Sequence, residues 1–102
     1  YFLSFGQNYK AIGEYRTALR FLEQYAQARP EDARVYKEIG DLYQHLGDVE
    51  QSVRYYKRSL LLQSDQRSLQ LIIAKIAVQS RKWREAMYWT RKAEAIRYDE
   101  EV

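Results

Sequence analysis

The side chains that could carry out catalysis or bind a metal are few and widely separated in this sequence. His45 is the only histidine and there is no cysteine, so a histidine-based metal cluster, a thiolate ligand and a cysteine nucleophile are all excluded. Ser52 and Ser59 have no general base at the spacing of a hydrolase motif, and no glycine-rich phosphate loop is present. We therefore expect no catalytic residue, no cofactor and no bound metal.

The remaining titratable residues fit simpler roles. Asp99, Glu100 and Glu101 are consecutive, and a solvated tail explains them better than a metal site. His45 is expected in the last turn of a helix, exposed to solvent or in contact with the negative end of the helix dipole. No apolar run approaches the length of a membrane-spanning helix, so we expect no membrane partner. The net charge of +3 permits an anionic partner without requiring one.

Basic residues beside aromatic residues suggest one kind of binding chemistry. Phe21, Tyr55 and Trp89 recur at one constant interval along the chain, and arginine and lysine residues lie close to each of them. Such a surface can hold single-stranded RNA through phosphate contacts and base stacking, although a solvated basic helix face is the simpler alternative. The candidate residues for binding RNA or an acidic partner are Arg54, Lys57, Arg58, Arg91 and Lys92, with Arg16, Arg20 and Arg84 at similar positions.

The elements that position these residues follow from an internal repeat. When the sequence is aligned with itself at a shift of about 34 residues, Gly40 falls on Gly6 and Gly47 falls on Gly13. Three units align without a gap, at about residues 1–32, 33–66 and 67–102, and each is predicted to form two antiparallel helices. In the second unit these helices are predicted from about Ala33 to Leu46 and from about Val49 to Leu62.

Small residues recur at fixed places in the repeat. Gly6 and Gly40 are predicted to lie in mid-helix, where two backbones approach too closely for a larger side chain. Gly13 and Gly47 are predicted to follow a helix end in the left-handed conformation, with Asp48 capping the next helix. A further column of small residues, on the inner face of the second helix, consists of Ala18, Ser52 and Ala86.

A repeated helical hairpin of this length, with small residues at these places, resembles the tetratricopeptide repeat. The third unit departs from the family pattern, because Gln70, Ala77 and Arg81 replace the opening aromatic, the tyrosine and the turn glycine. The resemblance implies an all-α, right-handed solenoid of three helix-turn-helix repeats. It also implies a non-catalytic scaffold that binds other proteins within a larger assembly.

The same resemblance implies where partners bind. In this family the first helix of each pair lines the concave side. The candidate partner-binding residues on that side are Lys37, Asp41, Leu71, Ile72, Lys75 and Val78. The three apolar residues in this set exceed what packing within the repeat needs. They could pack against a neighbouring helix, or form an apolar shelf for a helix or an extended peptide.

One specialised function of the family is not expected. Chaperone adaptors hold a terminal carboxylate with lysine, asparagine and arginine side chains in the groove. Here the corresponding positions hold Leu3, Gln7, Glu38, Ser68 and Ile72. We therefore predict no carboxylate clamp, and a peptide-binding co-chaperone is the weaker alternative.

Four segments are also similar to the amino-terminal repeat domain of a Ran-binding nucleoporin of the cytoplasmic filaments. They are "FGQNYKAIGEY", "YYKRSLLL", "DQRSLQLIIAKIA" and "MYWTRKA". This resemblance implies a place on the cytoplasmic side of the nuclear pore and a role in nucleocytoplasmic transport or messenger RNA export. The sequence starts at Tyr1 inside an apolar pattern, and we expect it to be part of a longer protein.

Overall fold

A computed structural model describes residues 2–101 of the chain, with side-chain surroundings described for residues 3–95. The acidic cluster at Asp99–Glu101 and the side chain of Tyr98 therefore lie outside the described side chains. Within the described residues every regular element is an α-helix. The helices are α1 (Phe2–Ala11), α2 (Tyr15–Ala28), α3 (Ala33–His45), α4 (Val49–Leu62), α5 (Arg67–Gln79) and α6 (Trp83–Glu101). The prediction of an all-α helical repeat fold is confirmed.

The chain divides into two compact units, residues 1–62 and 63–102. In the first unit α1 packs against α2, α2 against α3 and α3 against α4; in the second, α5 packs against α6. The core of the first unit consists of Ala18, Leu22, Val35, Tyr36, Ile39 and Leu42. The assignment of the whole chain to a single array stays a prediction.

Capping side chains fix where helices begin in the first unit. The Asp32 carboxylate accepts a hydrogen bond from the backbone N–H of Arg34 at 3.0 Å, and Asp48 accepts one from the backbone N–H of Gln51 at 3.2 Å. Both bonds satisfy an amide that has no partner within its own helix. The predicted helices of the second repeat agree with α3 and α4, except that α3 ends one residue earlier, at His45.

The two mid-helix glycines make room for a large side chain of the paired helix. A Cβ atom at Gly6 would lie 2.6 Å from Leu22, and one at Gly40 would lie 2.7 Å from the ring of Tyr56. The nearest backbone atom to Gly40 is the Ser52 carbonyl oxygen, at 3.1 Å. The predicted reason, contact between two backbones, therefore needs correction: the space is taken first by a side chain.

The third hairpin has different residues at these two positions. Ala74 stands at the position of Gly6 and Gly40, and Thr90 stands at the position of Leu22 and Tyr56. Ala74 is buried. Thr90 is exposed, so the third hairpin has no buried large side chain at the position of Leu22 and Tyr56.

The first helix of every hairpin ends in the same turn. The backbone N–H groups of Glu14, Asp48 and Lys82 donate to the carbonyl groups five residues earlier, at 2.8–2.9 Å. This bond belongs to the Schellman motif, whose preceding residue is left-handed. That residue is Gly13 (φ 86°) or Gly47 (φ 84°) in the first two hairpins and Arg81 (φ 59°) in the third.

Candidate functional site

Four of the predicted partner-binding residues share one side of α5. We call Leu71, Ile72, Lys75 and Val78 the α5 line, since their spacing places them side by side on the helix. Leu71 and Ile72 are partly buried, Lys75 is exposed and Val78 is 48% exposed. The buried apolar residues of this helix are Leu69, Ile73, Ala74, Ile76 and Ala77. The α5 line thus adds apolar surface beyond the buried face of the helix.

Gln70 holds the start of α5 in place. Its Nε2 group donates to the Ser64 carbonyl oxygen at 2.8 Å, and the side chain is buried. Gln70 stands where the family pattern has an aromatic residue, and its hydrogen bond shows how a polar residue can occupy this position. The bond ties the helix to the segment that precedes it.

The other two predicted partner-binding residues, Lys37 and Asp41, lie on α3 and are partly buried. Asp41 takes part in a polar network: its carboxylate accepts a hydrogen bond from the Tyr56 hydroxyl and lies 3.6 Å from the Lys10 ammonium. Lys10 also lies 3.4 Å from the carboxylate of Glu38. Asp41 therefore connects α1, α3 and α4.

Tyr56 is the buried member of this network. The Gln44 side-chain oxygen lies 3.0 Å from its hydroxyl and shares the hydroxyl proton with Asp41, and the Tyr56 ring is fully buried. Burial, followed by the hydrogen bond to Asp41, raises the pKa of Tyr56 well above its ordinary value. Sequence reasoning missed the roles of Lys10 and Tyr56, because nothing in the spacing shows that side chains so far apart along the chain converge on one carboxylate.

The basic residues on α4 are divided between solvent and protein contacts. Arg54 is exposed and Lys57 is partly buried. The Arg58 guanidinium lies 4.8 Å from the centre of the Tyr36 ring. This cation–π contact holds one side of the guanidinium against the protein.

Two of the aromatic residues predicted to stack on RNA bases, Tyr55 and Phe21, already contact other rings of the protein. Tyr55 lies 5.5 Å from Tyr43 and 6.4 Å from Tyr36, measured between ring centres. Phe21 lies within 5.5 Å of both Phe5 and Tyr9. These contacts stabilise the first unit and compete with stacking on a base.

The basic residues on α6 lie beside exposed aromatic and apolar groups. Arg91 and Lys92 are exposed, and the Lys92 ammonium lies 5.0 Å from the Tyr88 ring centre and 5.9 Å from the Trp89 ring centre. A shallow cavity of about 450 Å³ lies along this surface. Its lining defines what we call the α6 face: Arg84, Met87, Tyr88, Arg91, Lys92 and Ala95.

The serine and histidine residues considered for catalysis are buried or contact other groups of the protein. The Ser59 hydroxyl is buried and donates to the Ala33 carbonyl oxygen at 2.7 Å, and Ser52, a member of the column of small residues, is buried as well. Ala18 and Ala86 of that column are buried as well. His45 is exposed, and its ring stacks on Tyr15 at 4.8 Å, a contact that the sequence did not indicate.

Two other kinds of site are absent from the described residues. In that part of the chain no group of histidine, cysteine or carboxylate side chains is arranged to hold a metal ion. Among the helices described, none combines the length and the apolar character needed to cross a bilayer.

Comparison with known structures identifies the fold. MamA aligns with a TM-score of 0.92 at 16% identity, over 97% of this chain and 58% of that one. MamA AMB-1 aligns with a TM-score of 0.81 at 23% identity, over 93% and 56%. The Yersinia enterocolitica type III secretion chaperone SycD, in complex with a peptide of the translocator YopD, aligns with a TM-score of 0.84 at 17% identity, over 93% and 72%.

Because the identities are low, these similarities establish the fold alone. The chain spans only 53–66% of the MamA chains that it matches. Comparison with curated proteins finds no match. A family model described as "Tetratricopeptide repeat" matches residues 11–76, well over half of the sequence. The chain belongs to the tetratricopeptide repeat family.

Proposed function

We propose that the chain is a non-catalytic module that binds a protein partner through the α5 line. Proteins of the tetratricopeptide repeat family generally act as scaffolds for other proteins. The SycD complex shows that a related fold accommodates a peptide. The observation that carries the proposal is the apolar surface at Leu71, Ile72 and Val78, which lies outside the buried face of α5.

The chemistry of the α5 line suits an amphipathic partner. Covering exposed apolar surface contributes about 25 cal/mol per Å², so the exposed part of Val78 and the remaining surface of Leu71 and Ile72 favour an apolar contact. Lys75 lies among them and is exposed, so a partner carboxylate could pair with its ammonium. An apolar centre with one charge beside it is a common arrangement at protein interfaces.

The substitution Val78→Asp tests this proposal. Val78 is half exposed, so the change should leave helical content by circular dichroism unchanged while it reduces the partner protein retained in a pull-down by about tenfold. Gln79→Asp is the matched control, because it adds the same charge at the next exposed position on α5. Equal retention by both variants and the unmodified chain would rule out the α5 line as the docking surface.

The finer predictions from the sequence stay predictions. The place at the nuclear pore rests on the similarity of the four segments to a nucleoporin, and the matches to MamA and SycD lend it no support. Binding of RNA by Arg54, Lys57, Arg58, Arg91 and Lys92 also stays a prediction. A co-chaperone remains the weaker alternative, and Glu38, at one clamp position, is paired with Lys10.

A further inference from the structure

A cavity lies among α2, α3 and α4, within the first unit of the chain. Its volume is about 430 Å³, and its walls include Ala26, Gln27, Tyr36, Ile39 and Arg58. Cavities of this size can hold a small ligand or a large side chain. The helices around it belong to the first two hairpins, which already pack against each other, so a further hairpin of the array would not cover it.

A small side chain at position 26 leaves room in this cavity. Ala26 stands where the second hairpin has Leu60, one repeat interval later, and Leu60 is buried. The other apolar residues of the wall are Tyr36 and Ile39, which both belong to the core of the first unit. The cavity therefore has apolar walls and space for an aliphatic side chain of the kind that Leu60 supplies in the next repeat.

Contacts within the first unit fix the walls of the cavity. The Tyr36 hydroxyl donates to the Pro30 carbonyl oxygen at 3.1 Å, and the Tyr36 ring holds the Arg58 guanidinium at 4.8 Å. Tyr55, another residue of the wall, stacks on Tyr43 with the ring centres 5.5 Å apart. Because these side chains are already ordered, a ligand would bind with little loss of their conformational entropy.

Two charged groups of the wall can accept further contacts. The Glu23 carboxylate receives a hydrogen bond from the Tyr43 hydroxyl at 3.3 Å, and its other oxygen can accept from a further donor. The Arg58 guanidinium forms no ion pair with any carboxylate in the described part of the chain. A carboxylate is the protein acceptor that a guanidinium binds most strongly.

These groups favour one kind of ligand. An extended peptide has free backbone N–H groups that can donate to Glu23, whereas the N–H groups of a helix are already used within the helix. A nucleic acid fits less well, because Glu23 would repel its phosphate groups. The apolar walls call for an aliphatic side chain, and Arg58 calls for a carboxylate.

We propose that this cavity binds an extended segment of a partner protein in which a leucine-sized aliphatic side chain adjoins a glutamate or aspartate. The aliphatic side chain fills the space beside Ala26, the carboxylate pairs with Arg58, and a backbone N–H donates to Glu23. The proposal does not depend on the α5 line, because every residue that it uses lies in the first unit.

An NMR titration of the chain with three short peptides tests the proposal. The first peptide contains leucine next to glutamate, the second has alanine in place of the leucine, and the third has lysine in place of the glutamate. The first should shift the backbone amide resonances of Gln27 and Arg58. Loss of the leucine should weaken binding by on the order of tenfold, because less apolar surface is buried. The lysine peptide should not bind, because Arg58 repels it.

Substitutions in the chain test the same contacts. Ala26→Leu introduces the side chain of the next repeat, so it should prevent binding while the melting temperature stays unchanged or rises. Arg58→Gln should weaken binding about threefold, and it keeps the test valid if Ala26→Leu fails to fold by circular dichroism. Arg54→Gln is the matched control, because it removes the same charge at an exposed position of α4 outside the cavity, and it should leave the affinity unchanged.

Several results would overturn the proposal. They are no resonance shift at millimolar peptide, equal binding of the first and third peptides, and binding that a folded Ala26→Leu variant leaves unchanged. An equal loss with Arg54→Gln and Arg58→Gln would indicate general charge attraction. Shifts that grow with the concentration of the chain alone would show that a second copy fills the cavity. Binding by the chain but not by the full-length protein would show that another segment of the same protein fills it.

Discussion

At the scale of single residues, the first two hairpins each depend on one glycine facing one large side chain. Gly40 faces the buried ring of Tyr56, whose hydroxyl in turn reaches Asp41 and Gln44 on the helix that carries the glycine. The ring and the hydroxyl therefore fix how α3 and α4 pack. Both contacts depend on the absence of a Cβ atom at position 40. Gly40 is therefore more sensitive to substitution than its position in the middle of a helix suggests.

Gly40→Ala should destabilise the chain. Alanine gains about 1 kcal/mol of helix propensity, but a Cβ atom 2.7 Å from the Tyr56 ring forces a shift, and overpacking typically costs about 1–3 kcal/mol. We expect a net loss of about 1 kcal/mol in the free energy of unfolding, measured by urea denaturation. A variant as stable as the unmodified chain would mean that the helices separate without cost.

Asp32 makes stability depend on pH in the acidic range. The hydrogen bond from Arg34 is the largest influence on its carboxyl group and, together with the bond from the Tyr25 hydroxyl at 2.8 Å, lowers the pKa of Asp32 below its ordinary value of 3.8. A folded-state pKa below the unfolded value means that the stabilisation is present above pH 3.8 and is lost as the pH falls below it. Asp32→Asn should therefore flatten the decline in melting temperature below that pH. A decline of the same steepness in the variant would assign the effect to other carboxylates.

At the scale of the helices, the three hairpins share one turn, and its left-handed residue is glycine in two of them and arginine in the third. Gly13 and Gly47 adopt the left-handed conformation without a steric penalty, while Arg81 adopts it with a side chain. The turn hydrogen bonds are nevertheless the same in all three hairpins. The turn geometry is therefore set by the packing of the paired helices, and glycine only makes it easier.

Arg81→Gly should stabilise the chain. The left-handed conformation costs a residue other than glycine roughly 1–2 kcal/mol, part of which the greater freedom of glycine in the unfolded chain offsets. We expect a gain of about 0.5–1 kcal/mol in the free energy of unfolding. Lys82→Gly, at the next position, is the control and should give no gain. A gain in the control alone would contradict this account of the turn.

The repeat made the helices predictable from the sequence. Glycines and apolar residues that recur at the repeat interval gave the bounds of α3 and α4 to within one residue. The polar network of Lys10, Asp41 and Tyr56 could not be predicted in the same way, because its members come from three helices and none stands at a recognisable motif spacing. Likewise, the stacking of His45 on Tyr15 depends on how two hairpins pack.

At the scale of the whole molecule, the chain has two units, with the polar network in the first and the apolar α5 line in the second. Of the network, Asp41 was predicted to line the same binding surface as the α5 line. The network engages Asp41 in contacts within the first unit, which leaves the α5 line as the stronger candidate for a partner. The fold supplies the positions of these residues, and their chemistry decides which of them can bind.

Site-specific photo-crosslinking tests the central claim, that the α5 line binds a protein partner, most directly. A benzophenone amino acid replaces Val78 in the full-length protein, and in a matched sample it replaces Gln24, which is exposed on α2 and belongs to no candidate site. We expect irradiation in cells to join the protein to one partner from position 78 and not from position 24. No adduct at position 78, or the same adduct from both positions, would contradict it.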